Sequence, residues 1–177
     1  SGDLFRRDAD RICRRRAHGF GLLRPDLGHY GHETVERDLA VWRFATNYRT
    51  WFRPLMGNHE AALLDPGQHG FRGMQAPHSE TIGLIRSVAP AYSLVRHGHI
   101  LTHAGVHPYY WPFTDDTVEQ TLLTFVTMTN LTCEHGDYVP IRDNISRYRG
   151  GSDQQGGILW RDYRETILDV PQVYGHS

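Results

Sequence analysis

Cysteine is nearly absent: Cys13 and Cys133 are the only two in 177 residues. Two thiols cannot build the disulfide framework of a small secreted domain, so reduced thiols in a cytoplasmic protein are expected. Long apolar runs are missing too, and nothing approaches the roughly 20 residues a membrane-spanning helix needs. There is no charge excess, because 19 Lys and Arg against 20 Asp and Glu give a formal net charge of −1. That balance gives no electrostatic ground for nucleic acid or an anionic membrane as a partner. Internal repeats, low-complexity tracts and linker-like stretches are absent as well. Residues 1–177 therefore read as a single domain, long enough for a core of its own. What the chain has in quantity is histidine, 12 in all, a side chain that exchanges protons near neutral pH and ligates metals.

Apolar spacing organises the chain into mixed helices and strands, an α/β (α+β) pattern. Val35, Leu39, Trp42 and Ala45 recur at steps of three and four, which predicts a helix from Thr34 to about Arg49. The apolar run from Trp51 to Met56 reads as a short buried strand, and a tight turn follows at Gly57 with a helix from Ala61. Asp65 to His78 reads as a loop. Ser79 is the expected N-cap of a helix carrying Ile82, Ile85 and Val88, ended by Pro90. Two strands, Tyr92–Arg96 and His99–His103, flank His97-Gly98, a two-residue hairpin connection. Asp115 to Leu131 reads as an amphipathic helix with Val118, Leu122, Phe125 and Val126 on one face and Thr114 or Asp115 as its cap. Residues 132–157 read as a long polar loop holding Arg142, Arg147 and Arg149. A last short strand precedes Gly175-His176.

Several short motifs sit at the ends of these strands. Gly57-Asn58-His59-Glu60 joins a turn-forming glycine, a neutral amide oxygen suited to a hard cation, and a histidine able to carry a proton. His103-Ala104-Gly105 follows the hairpin, and Gly175-His176 ends the final strand. Leu159-Trp160-Arg161-Asp162 lies between them, with Arg164 close by. Near the start stand Gly2-Asp3 and Arg7. The histidines at 18, 29 and 32 lack partners at helical or strand spacing and read as surface residues. The basic run at Arg11 and Arg14–Arg16 reads as a solvated helix face, with anion binding as the sharper alternative.

In this order the motifs resemble those of calcineurin-like metallophosphoesterases, most closely the bacterial branch of the PPP serine/threonine phosphatases. The family's pattern is D-x-H-G, G-D-x-x-D-R-G, G-N-H-E, H-[GA]-G, L-W-x-[DR] and G-H. Arg6 and Asp8 depart from the second motif, where the family has Asp and Gly. The family's Asp at that place orients the catalytic histidine, a role Asp8 or Asp10 would have to fill here. The D-x-H-G strand belongs before Asp3, and further strands follow the G-H motif. The resemblance therefore implies a β-sandwich flanked by helices, truncated at both ends.

The resemblance also implies a chemistry. Asp3, Asn58, His103 and His176 are the expected metal ligands. The complete domain would hold two divalent ions of the Mn, Fe or Zn class, and this stretch one. Two imidazoles with carboxylate and amide oxygens, and no thiolate, suit such ions. Arg7, with Arg161 or Arg164, is expected to bind substrate phosphate through bidentate contacts. His59 is the expected general acid. The implied reaction is hydrolysis of a phosphate monoester, on a phosphorylated protein or a small phosphoester, by direct attack of a metal-bridging hydroxide. Taken alone, this stretch is expected to be inactive. Two alternatives stand beside it. One is a hydrolase of dinucleoside polyphosphates or other nucleotides, for which Tyr109, Tyr110 and Trp111 offer stacking surfaces. The other is a non-catalytic metal-binding relative, suggested by Arg6.

Overall fold

The helices form where apolar spacing asks for them. In the computed structural model, which describes residues 31–69, 78–112, 117–134 and 138–176, the first helix, α1, spans Gly31–Asn47. Its buried residues Leu39, Trp42 and Ala45 follow the predicted stripe. Trp42 and Ala45 pack with Leu63 and Ile85 into a small cluster. Helix α2 covers Asn58–Leu64 and begins three residues earlier than expected, at the asparagine itself. A one-turn helix, α3, covers Pro66–His69 inside the expected loop. Helix α4, Ser79–Val88, contributes Ile85 and ends at Ala89 in the left-handed region, with Pro90 next. Ser79 is its first helical residue and His78 holds the N-cap position, so the expected serine cap does not form.

The hairpin forms as predicted. Strands β1 (Ser93–Arg96) and β2 (His99–Thr102) pair antiparallel, from Ser93 opposite Thr102 to Arg96 opposite His99. His97 and Gly98 both have positive φ, 49° and 72°. Two such residues make the turn whose twist matches paired strands. Strand β3 is only Gln172–Val173, and it lies parallel to β2. The sheet order is β1-β2-β3. Parallel strands leave a sheet at the same end, so the residues after Thr102 and after Val173 emerge together.

The expected strand over Trp51–Met56 is a correction. Only Leu55 is paired there, in a single parallel bridge with Ala91. Proline at 54 has no N–H to give a ladder. The residues before it are drawn into a turn, where Trp51 meets Phe44 and Phe52 edge-on and Tyr48 at a tilt. Trp51 is 63% exposed, the opposite of a buried strand residue.

Helix α5, Val118–Glu134, buries Thr121, Leu122, Phe125, Thr129 and Cys133. Val118, placed on the buried face by its spacing, is exposed in the first turn. The cap is Thr117. Its hydroxyl oxygen accepts from Gln120 N at 3.3 Å, and the Gln120 side chain accepts from Thr117 N at 3.1 Å. This is a reciprocal capping box. Thr114 and Asp115 lie outside the described residues. Burial pushes the Cys133 thiol up to about 12 and keeps it protonated.

The stretch after α5 has more structure than a polar loop. A short helix, α6, covers Pro140–Asp143, and a 3₁₀ turn covers Arg147–Arg149. Arg142 and Asp143 are both buried and paired at 2.5 Å, and Arg142 Nη1 also donates to Cys133 O at 2.7 Å. The main core then joins Met56, Ile100, Val106, Leu122 and Phe125 to Ile158, Leu159 and Trp160. Among the described residues, no helix is long and apolar enough to cross a membrane.

Candidate functional site

Three chain segments meet at the end of the sheet where β2 and β3 leave it. The first carries Asn58, buried in the first turn of α2 directly after Gly57. The Leu55–Ala91 bridge fixes where that turn begins: Met56 N donates to Ala91 O at 2.8 Å. The second carries His103, the residue after β2. The third carries His176, three residues beyond β3. Gly175 N and His176 N both donate to His103 O, at 3.2 and 2.9 Å. The two imidazole rings stand 4.6 Å apart, centroid to centroid, tilted by 44°. His103 Nε2 donates to Asn58 Oδ1 at 2.9 Å, across 45 residues of chain. An amide oxygen only accepts, so His103 Nε2 carries the proton in this bond, a proton that a cation bound at Nε2 would displace.

These donors suit one hard or borderline cation. Ligand atoms bound at about 2.1 Å and at right angles lie about 3 Å apart, the order of the Nε2–Oδ1 separation. Neutral imidazoles and an amide oxygen are the donor types such an ion takes. No cluster of three His, Cys, Asp or Glu residues occurs among the described residues. The set here is two histidines and an asparagine. The fourth expected ligand, Asp3, lies outside the described residues, as do Arg7, Arg6, Asp8, Asp10, His18 and His29.

Gly57 is the close-packed neighbour of this group. A Cβ there would run into the Glu60 carboxylate and stand 3.2 Å from His103 Cε1. Gly57→Ala should therefore destabilise the fold by about 1–3 kcal/mol through overpacking, seen as a lower urea midpoint. A midpoint equal to wild type would show that His103 and Glu60 yield freely. His59, the expected acid, is half-buried in the same turn as Asn58.

The two arginines expected to hold phosphate occupy different environments. Arg164 is exposed, its guanidinium paired with Asp162 at 2.7 Å and stacked over the Tyr148 ring at 4.6 Å. Arg161 is 2% exposed. Its Nε donates to Ala104 O at 2.8 Å, and its Nη1 to Asp162 O and Glu165 O, both at 3.0 Å. A guanidinium buried this way holds backbone in place, whereas that of Arg164 is open to solvent. Glu165 has no counterpart in the sequence reading. Buried, it accepts from Gly156 N at 2.8 Å and Asp162 N at 3.2 Å, and no local pattern announces it. His107 and the aromatic residues after it pack locally. His107 Nδ1 accepts from Tyr109 N at 3.1 Å, and Trp111 lies on Phe125 at 5.1 Å.

Asp162 also gives the fold a handle on pH. The Arg164 hydrogen bond, with further help from the Arg164 backbone amide and the Arg149 charge, lowers its pKa from 3.8 to about 2. A carboxyl with a depressed folded pKa stabilises the fold above its unfolded value. That contribution is lost as pH falls through the folded value. Urea midpoints should therefore fall between about pH 4 and pH 2, and Asp162→Asn should flatten that slope. An equally steep slope in the variant would assign the acid sensitivity elsewhere.

No protein-family model, no curated protein and no solved structure matches this chain.

Proposed function

We propose that this chain carries the site of a metal-dependent phosphoesterase of the calcineurin-like kind, with the metallophosphoesterase fold and the PPP-type phosphatases as its nearest resemblance. One observation carries the reading. Asn58, His103 and His176 come from three distant segments and meet at one end of the sheet. They are the residues that the motif order nominates as ligands.

Asn58 Oδ1 and the two imidazoles would hold a cation of the Mn, Fe or Zn class, with Asp3 as the expected carboxylate ligand. When bound, such ions supply Lewis-acid charge to phosphoryl oxygens and lower the pKa of the attacking water. The chain's own residues supply the rest. Arg7 would grip non-bridging phosphate oxygens in bidentate fashion, and Arg164, whose Nε and Nη2 are held by Asp162, would add a single contact through Nη1. His59, as imidazolium, would give its Nε2 proton to the departing oxygen, which leaves as a neutral hydroxyl. A phosphorylated protein or small phosphomonoester is the substrate class.

The test is hydrolysis of p-nitrophenyl phosphate in Mn²⁺, with the upstream chain that the resemblance expects in place. Turnover that EDTA abolishes and Mn²⁺ restores supports the reading. Mn²⁺ binding without turnover would favour a non-catalytic relative. A protein that neither binds nor turns over would sink both.

A further inference from the structure

We infer that Arg161 is a positioning residue, a buried clamp that fixes the separation of His103 and His176. The metal consequence of this rests on the reading above, whereas the geometric claim does not.

The clamp grips both histidine-bearing segments. On the His103 side, the turn from Ile158 to Arg161 holds Ala104 at both of its backbone groups. Ala104 N donates to Ile158 O at 2.8 Å, and Ala104 O accepts from Arg161 Nε at 2.8 Å. On the His176 side, the Arg161 guanidinium lies over the Tyr174 ring, 5.0 Å from its centroid. Arg161 Nη1 anchors the clamp to its own turn through Asp162 O and Glu165 O. Each grip is one or two residues from an imidazole.

Gly105 shows that the space is made for this side chain. Its φ is +86°, a region that L residues avoid, and a Cβ there would stand 3.0 Å from Arg161 Nε and 3.3 Å from Tyr174 Cδ1. The glycine of His103-Ala104-Gly105 thus leaves the passage through which Arg161 reaches Tyr174. Charge-assisted bonds to three carbonyls are stronger and more directional than neutral ones. A lysine has no planar fork and cannot reproduce them. Rigid support of this kind is what metal ligands need, and losing an outer partner typically costs about 10–100-fold in metal affinity.

The experiment has two arms. In the first, the metal-free protein is examined by NMR for the nuclear Overhauser effect between the His103 and His176 rings. Wild type and Tyr174→Phe should show it. Arg161→Lys and Tyr174→Ala should lose most of it while methyl shifts in the Ile100 and Leu122 core stay put. The Tyr174 variants keep the test usable if Arg161→Lys does not fold, because Tyr174 is partly exposed. A full-strength effect in Tyr174→Ala would overturn the clamp. In the second arm, Mn²⁺ alone is titrated by calorimetry, and Tyr174→Ala should bind about 10–100-fold more weakly than wild type and Tyr174→Phe. Equal affinities would overturn the clamp as an aid to binding. A wild type that binds no Mn²⁺ would overturn the metal reading instead, and the first arm would still decide the geometry.

Discussion

On the proposed metal reading, His103→Ala should weaken Mn²⁺ binding by more than about 100-fold, because it would delete a ligand and not only a residue that positions one. His103 is the shared member of the site: its ring faces His176, its Nε2 touches Asn58, and its carbonyl receives two amides from the final segment. Alanine keeps the carbonyl contacts and deletes only the imidazole. The metal-free fold should therefore lose only about 1–3 kcal/mol, the cost of leaving buried Asn58 Oδ1 without its donor. Calorimetric titration and a urea curve separate the two effects. His99→Ala is the control, since His99 is exposed and its Nδ1 donates to His97 O at 2.9 Å, within the hairpin turn. If His103→Ala and His99→Ala bind Mn²⁺ alike, the site described here is not a metal site.

The second large effect is kinetic. With the upstream chain used in the phosphatase test in place, His59→Ala should lower turnover of an aryl phosphate by roughly 10²–10⁴-fold while leaving Mn²⁺ affinity unchanged. His59 adjoins Asn58 in the first turn of α2, so its ring starts from the same short segment as a candidate ligand. Loss of a general acid also has a leaving-group signature. A substrate whose leaving oxygen is already acidic should suffer less than an alkyl phosphate. Uniform loss across leaving groups would mean that His59 acts by holding Asn58 or the turn. No loss at all would mean that the acid is elsewhere.

What the sequence made legible follows from how local the cause is. The hairpin was readable because a histidine and a glycine with positive φ determine a turn within two residues. Helix α1 was readable because Leu39, Trp42 and Ala45 repeat at the helical period. The convergence of Asn58, His103 and His176 was anticipated from motif order, and the short parallel β3 is the element that realises it. The failures are non-local. Nothing near Leu55 says that its pairing partner is the single residue Ala91. Nothing around Arg161 distinguishes a buried arginine from an exposed one, because its acceptors are carbonyls at 104, 162 and 165. The Arg142–Asp143 pair lies in a stretch whose sequence reads as a polar loop, for the same reason. Composition there is hydrophilic, yet the two charges satisfy each other inside the fold.

The two amides on one carbonyl make the site observable from outside the histidines. Gly175 N–H and His176 N–H share His103 O as acceptor. Strand β3 behind them contributes only two paired residues. So short a ladder opens locally, well below the free energy of global unfolding. When that segment lifts, both amides reach water in the same event. Their hydrogen–deuterium exchange rates should therefore move as a pair under any change of temperature or denaturant. A cation bridging the two imidazoles would slow both by a common factor, which turns two backbone protons into a clock for ion release.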